Sequence, residues 1–300
     1  MLQALNANRV PGWQFPAHYL GLAFGRLEGH HAEVVMRAGP HCIDANGAVS
    51  LEALGVLADV AMAGAVRSQM GPTARVATVS IRLSLGILPG EGDLHAAAEL
   101  KLSYPGPAMQ MTAASLSVVA NGKLCCTGEG TFAVLDSARN SASHPLPKRS
   151  TLESIDPLAT ADLTSEERLV FDRARYADTR SLAEHPFLER FWSAPSGQGK
   201  EWAERRVEGG MHVGNRVGDI QGGVLLGIAA RTCSSALPQG WRLIDLSAQY
   251  ISASPHTGVV IRAKSLRVGR SLACIECEAT DDQGRTTLRA QASFMKEPNS

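Results

Sequence analysis

Two segments of the chain are apolar on nearly every side of a helical wheel. Residues 53–66 consist of Ala, Leu, Val, Met and Gly with Asp59 as the single charged position, and Leu225-Leu-Gly-Ile-Ala229 repeats the pattern later in the chain. A helix of this kind must be covered on most sides, which suits a central helix held by a strongly curved sheet. The second signal is alternation. Residues 75–88, 93–104, 109–120 and 124–135, and again 241–252, 257–267, 272–280 and 286–295, are rich in β-branched and alternating positions; Pro255, Gly269 and Asp282-Gln283-Gly284 punctuate the later set. These patterns predict antiparallel meanders and an α+β class: a short strand, a loop, one long helix and several long strands, twice over.

The duplication is visible residue by residue. His41-Cys-Ile-Asp44-Ala-Asn-Gly47 falls on His212-Val-Gly-Asn215-Arg-Val-Gly218 at an offset of 171, and the same offset carries Leu54-Gly-Val-Leu-Ala58 onto Leu225-Leu-Gly-Ile-Ala229. Further on, Leu88-Pro-Gly-Glu-Gly92 meets Ser254-Pro-His-Thr-Gly258 at 166, and the turns at Asn121-Gly-Lys and Gln283-Gly-Arg, with Phe132 and Phe294 beyond them, agree at 162. Small deletions in the second copy account for the drift. The expected organisation is an N-terminal repeat over residues 1–136, a linking segment over 137–184 and a C-terminal repeat over 185–300. Within the link, residues 137–148 are rich in Ser, Pro and His and read as exposed, while Thr164-Ser-Glu-Glu-Arg opens a surface helix over 165–176 with an N-cap and acidic first turn. Aromatic pieces around Phe15 and around Phe187 to Trp192 precede the first strand of each copy and are expected to cover equivalent surfaces.

Composition narrows the possibilities. With 44% apolar and 19% charged residues the chain is globular, and 29 basic against 29 acidic residues leave no footprint for nucleic acid or anionic lipid, so an anionic ligand must be caught by a local patch. Residues 1–13 carry Arg9 and lead into no apolar core, and the longest apolar stretch is too short for a bilayer; a cytosolic protein without membrane association is expected. The six cysteines read as reduced apolar filler. Cys274 and Cys277 spell C-x-x-C, but three residues apart in a strand they face opposite ways, so no metal site and no redox cofactor are implied. Nucleotide loops and a Ser-His triad setting are missing as well.

The second copy, with Asn215-Arg-Val-Gly218-Asp-Ile-Gln221-Gly222-Gly223, resembles the hotdog-fold acyl-CoA thioesterases, in particular the phenylacetate-pathway type, whose helix starts after Asn-x-x-Gly-x-x-His-Gly-Gly. Gln221 takes the place of the usual His. That family carries an acid eight residues past the first glycine of the pair, where this copy has Ala230. The first copy is the reverse case, with Leu51-Glu52 in place of Gly-Gly and Asp59 where the acid belongs. The resemblance therefore implies a fused, tandem double hotdog, each repeat a long central α-helix wrapped by a curved antiparallel β-sheet. Its sheets pair edge to edge and its helices lie side by side, with one composite active site built from the acid of one repeat and the glycine-rich helix start of the other. It also implies an acyl-CoA substrate, or less readily a carrier-protein thioester, and further association into a homo-oligomer.

Elementary chemistry gives each residue a role. Bare N–H groups of Gly222 and Gly223 at a helix start form a candidate oxyanion hole, favoured by the helix dipole. Asp59 is a general base for water or a nucleophile. Asn215 donates to the thioester oxygen or pins the loop, Gln221 does the same or orients the acyl group, and Thr78 stands where related enzymes keep a hydroxyl for the water. Arg267 and Arg270 are candidate contacts for nucleotide phosphates. Arg231 is expected to pair with a carboxylate, Asp44 to form a turn, and His41 and His212 to make structural hydrogen bonds. Two rival readings stand beside the hydrolase: an enoyl-thioester hydratase or dehydratase, which needs a His where Gln221 stands, and a non-catalytic acyl-thioester-binding protein.

Overall fold

A computed structural model describes residues 1–10, 14–71, 74–106, 109–135, 148–179 and 186–297. The first half opens with two short helices, α1 (Leu2–Asn8) and α2 (Phe15–Tyr19), and a hairpin, β1 (Ala23–Glu28) and β2 (His31–Ala38). The long helix α3 (Leu51–Met70) follows, then β3 (Arg75–Leu85), β4 (Gly92–Tyr104), β5 (Gln110–Ala120) and β6 (Lys123–Leu135). Helices α4 (Arg149–Glu153), α5 (Ser165–Thr179) and α6 (Phe187–Trp192) lead to the second half: β7 (Ala194–Gly199), β8 (Trp202–Val207), α7 (Gly222–Ser235), β9 (Trp241–Tyr250), β10 (Val259–Val268), β11 (Leu272–Thr280) and β12 (Thr286–Lys296).

The strands form one twelve-stranded sheet in the order β1-β2-β4-β5-β6-β3-β9-β12-β11-β10-β8-β7. Read outward from the centre, both halves have the same strand order, so the duplication seen in the sequence is also one of topology. The halves join where β3 pairs antiparallel with β9, from Ser80 opposite Gln249 to Ser84 opposite Asp245. Strand interiors follow the period-two rule; along β5 every second residue from Thr112 to Ala120 is buried. Equivalent Phe132 and Phe294 are fully buried, each contributing about 2 kcal/mol through the apolar area removed from water.

Every residue of α3 from Glu52 to Val66 is buried, between the sheet and α7. The two helices approach until backbone meets backbone. A Cβ at Gly55 would overlap the Gly223 carbonyl oxygen, and one at Gly227 would overlap the Glu52 backbone, so these three glycines set the closeness of the crossing. This approach brings side chains of α3 to the N-terminus of α7.

Three expectations are refined. Each copy opens with a two-strand hairpin instead of one short strand. The aromatic segments α2 and α6, expected to cover equivalent surfaces, also pack on each other: Phe15 meets Phe191 at 6.2 Å and Tyr19 meets Phe187 at 5.8 Å between ring centres. Helix α5 extends to Thr179 and buries Val170, Ala174 and Ala177; Thr164 and Glu167 cap it reciprocally, and Arg9 anchors Glu167 at 2.7 Å. The Ser-, Pro- and His-rich link falls, apart from Lys148, outside the described residues, as does His185. No helix among the described residues is long and apolar enough to cross a membrane.

Candidate active site

The loops that enter α3 and α7 are built alike. Asp44 Oδ1 accepts the N–H groups of Asn46 and Ala48, and Asn215 Oδ1 accepts those of Val217 and Asp219, so both residues shape an Asx turn. Each turn then uses a glycine at positive φ, 75° at Gly47 and 90° at Gly218, a conformation that a side chain strains. The bridges Ile43 to Val49 and Gly214 to Ile220 close the loops. Of the two roles expected of Asn215, loop pinning is the one its carbonyl oxygen performs.

At the end of the second loop, Gln221 is the N-cap of α7. Its Oε1 accepts the Val224 N–H at 2.7 Å, which leaves the amide nitrogen pointing across the helix interface. There Nε2 donates to Asp59 Oδ2 at 2.6 Å, while Thr78 Oγ1, from β3, donates to Asp59 Oδ1 at 2.8 Å. The nearby Gly223 N–H also favours the charged form of the carboxylate. Asp59 is only 6% exposed, and an unpartnered charge there would be costly; donors from both halves meet it instead. Burial pushes the Asp59 pKa above its ordinary value, and the Thr78 hydrogen bond, the Arg67 charge and the Gly223 N–H oppose that shift without cancelling it.

Gly222, the first residue of α7, faces this carboxylate. A Cβ on it would stand 3.1 Å from Thr78 Oγ1 and 3.4 Å from both Asp59 oxygens, so the space between them exists because residue 222 has no side chain. The Gly222 N–H is one of the orphan donors of a helix start and makes no hydrogen bond among the described residues. Its carbonyl accepts the Tyr250 hydroxyl at 2.7 Å, which holds the turn in place. Burial and the Asp59 charge push the Tyr250 phenol well above its ordinary pKa, so it remains a donor. Around these groups lies a cleft of about 480 Å³ whose apolar wall includes Val60, Ala63, Val76 and Leu225.

Three predicted site residues are placed differently. Gly223 packs into the helix crossing, against the backbone of Gly55 and Val56, and does not line the cleft. Arg267 is on β10 and Arg270 just beyond it, exposed and three strands from β9, and neither lines the cleft. The cations that do are Arg67, Arg75 and Arg216. Among the described residues no cluster of His, Cys, Asp or Glu is arranged for a metal ion. Cys277 is buried and Cys274 partly exposed, on opposite faces of β11.

Solved structures with this architecture include a conserved protein of unknown function with a hot dog fold from Alicyclobacillus acidocaldarius, with TM-score 0.59 and 9% identity over 96% of this chain and 100% of that one. The tesB protein of Mycobacterium avium subs paratuberculosis aligns at TM-score 0.58 and 11% identity over 94% and 98% of the two chains. An acyl-ACP thioesterase from Bacteroides thetaiotaomicron aligns at 0.50 and 12% over 88% and 98%. Identities this low establish the fold alone. The family model described as the acyl-CoA thioesterase N-terminal domain matches residues 215–295, from the Asn215 turn through α7 to β12. The family match therefore covers the second half of the chain, while the chain as a whole shares the hot dog fold of these structures. No curated protein matches it by sequence.

This hotdog chain also has the position related to the cleft by its internal duplication, and there the residues differ. Ser50 replaces Gln221 as N-cap, accepting the Ala53 N–H at 3.2 Å. Leu51-Glu52 replaces Gly222-Gly223 and Ala230 replaces Asp59. Aligned on Phe132 and Phe294, which pair with Thr78 and Leu243, the strands place Leu243 at the Thr78 position. Glu52, 1% exposed, meets Arg231 at 3.4 Å, with Asp44 3.9 Å from the same guanidinium, so Arg231 has the carboxylate partners expected of it. His212 is packed against Phe191 at 5.8 Å, and burial lowers its pKa to about 3; among the described residues its Nε2 has no hydrogen-bond partner, so aromatic packing takes the place of a hydrogen bond at that nitrogen.

Sequence reasoning missed Tyr250 and the three cleft arginines. The only sequence signal for Tyr250 is an aromatic hydroxyl at a strand end, which is common; its contact with Gly222 depends on how β9 sits under α7.

Proposed function

We propose that the protein is an acyl-CoA thioesterase, organised as a tandem double hotdog with repeats at residues 1–136 and 185–300 and a single composite active site. The observation that carries this reading is the meeting of Asp59 from the first repeat with the bare Gly222 N–H from the second across one cleft. In it, the thioester carbonyl lies over Gly222 and its oxygen takes the free N–H, where the positive end of α7 favours the charge that develops. A water held by the Thr78 oxygen loses its proton to Asp59 as its oxygen attacks the carbonyl carbon. The carbon–sulfur bond then breaks, and the thiolate leaves with the proton returned by Asp59.

Asp59 serves as general base instead of nucleophile because both of its oxygens are held: Thr78 on Oδ1 and Gln221 on Oδ2 restrain the swing that attack on carbon requires. Gln221 is neutral and committed to the N-cap and to Asp59, so it supplies no proton shuttle of the kind an enoyl hydratase needs from His. Val60, Ala63 and Leu225 offer the acyl group an apolar wall.

Free-thiol release from an acyl-CoA panel, followed together with enoyl absorbance, tests the reading. Thiol release at steady state supports hydrolysis. Loss of enoyl absorbance without thiol favours a hydratase, and saturable binding without either change leaves a non-catalytic binder.

A further inference from the structure

The cleft carries a second chemistry that catalysis does not use. Arg67 in the last turn of α3, Arg75 at the start of β3 and Arg216 in the loop before α7 converge on its wall from both halves of the chain. All three are half-buried, and among the described residues none has a carboxylate within ion-pair distance; the cleft's own acids, Asp59 and Asp219, lie beyond it. Arg67 is fixed by donation from Nε to the Ala74 carbonyl at 3.4 Å. Burial, then the Arg216 charge, lower the Arg67 pKa to about 10, and burial, then the Arg75 charge, lower that of Arg216. Both remain cationic at neutral pH, in mutual repulsion, in a chain whose net charge is zero.

The duplication supplies an independent control. Helix α7 ends at Ser235, short of the position equivalent to Arg67; the strand alignment puts Gly240 at the Arg75 position, and the loop alignment puts Ala45 at that of Arg216. The cations are therefore confined to the end of the helix pair that kept its acid and its glycine. A structural role in the repeat would have no reason to follow the active site.

We infer that Arg67, Arg75 and Arg216 form an oxyanion subsite for a charged group of the bound thioester, either a phosphate of the coenzyme or a carboxylate on the acyl chain. This rests on the cleft being the thioester site, as proposed above. Guanidinium groups suit both ligands, because their paired donors match carboxylate and phosphate oxygens.

Calorimetry with four inert thioether analogues separates the sources without turnover: coenzyme A and pantetheine, each S-alkylated with a chain ending in methyl or in carboxylate. For a phosphate ligand, the coenzyme A analogues bind tighter than the pantetheine ones by about tenfold or more, from charge-assisted hydrogen bonds. For a carboxylate ligand, the preference follows the chain terminus instead. In either case Arg67→Gln and Arg216→Gln shrink that preference about tenfold by the same reasoning, while Arg26→Gln, an exposed change on β1, leaves it intact. Wild type that shows neither preference, or a preference that survives both cleft variants, overturns the subsite. A protein that shows the charge preference but releases no thiol loses its assignment as a hydrolase and keeps the subsite.

Discussion

At one end of the α3–α7 crossing a carboxylate faces a glycine; at the related end a glutamate faces an arginine. Both ends share the same loop geometry, the same kind of side-chain N-cap and a buried acid, yet they differ in what the acid touches. Asp59 is held by Gln221 and Thr78 beside an open space above Gly222. Glu52 stands on the helix start itself, paired with Arg231. The difference shows how little separates the carboxylate proposed as catalytic from a structural one on this scaffold. Asp59 has neutral donors, no cation within ion-pair distance among the described residues and room for a ligand; Glu52 has a counterion and no room. Ser50 and Gln221 mark the same division: both cap a helix, but only the longer amide also reaches across to an acid.

Changes at either end sharpen this comparison. The largest effect is expected from filling the open space. Gly222→Val puts carbon against Thr78 and Asp59 and should cut kcat for thiol release by ~10²–10³-fold, the scale of losing an oxyanion donor, while thermal unfolding shows the fold retained. Unchanged kcat would mean that the space above residue 222 is not where the carbonyl lies. Thr78→Val should lower kcat about tenfold through loss of the water contact. It should also shift the acid limb of the kcat/KM profile to higher pH, because the hydrogen bond it removes is one that lowers the Asp59 pKa; a shift to lower pH contradicts the account. At the other end, Glu52→Gln should leave kcat alone and destabilise by about 3 kcal/mol, because Arg231 loses its nearest counterion in a buried setting. If hydrolysis falls along with melting temperature, the two ends are coupled and the division between them fails.

Much of this was legible in the sequence, and the exceptions share a cause. The long strands were readable to within a few residues because each buries one face. The hairpins β1–β2 and β7–β8 were not: β7 is exposed along nearly its whole length, so it carries no apolar alternation to detect. Asp59 stood out as a lone acid in an apolar helix, and its match to Gly222 was implied by the family resemblance once the duplication had aligned the two copies. Arg267 and Arg270 were misplaced because the order β9-β12-β11-β10, which removes them from the cleft, is a property of the folded sheet. Gly223 carried the right residue type for an oxyanion donor, but the closeness of the α3–α7 crossing directs it elsewhere. Arg67, Arg75 and Arg216 are far apart in the chain and meet only through the folded cleft.

Comparison of wild type and Asp59→Asn in acyl-CoA hydrolysis across pH tests the composite site most directly. Desolvation raises the Asp59 pKa, so wild-type kcat/KM should fall as pH drops through a value above the ordinary carboxylate range, as the base becomes protonated. The variant should be slower by ~10²–10⁴-fold, the usual contribution of a general base, and should have lost that limb. A variant that hydrolyses at the wild-type rate, or keeps the same acid limb, would show that the carboxylate of the first half takes no part in the reaction.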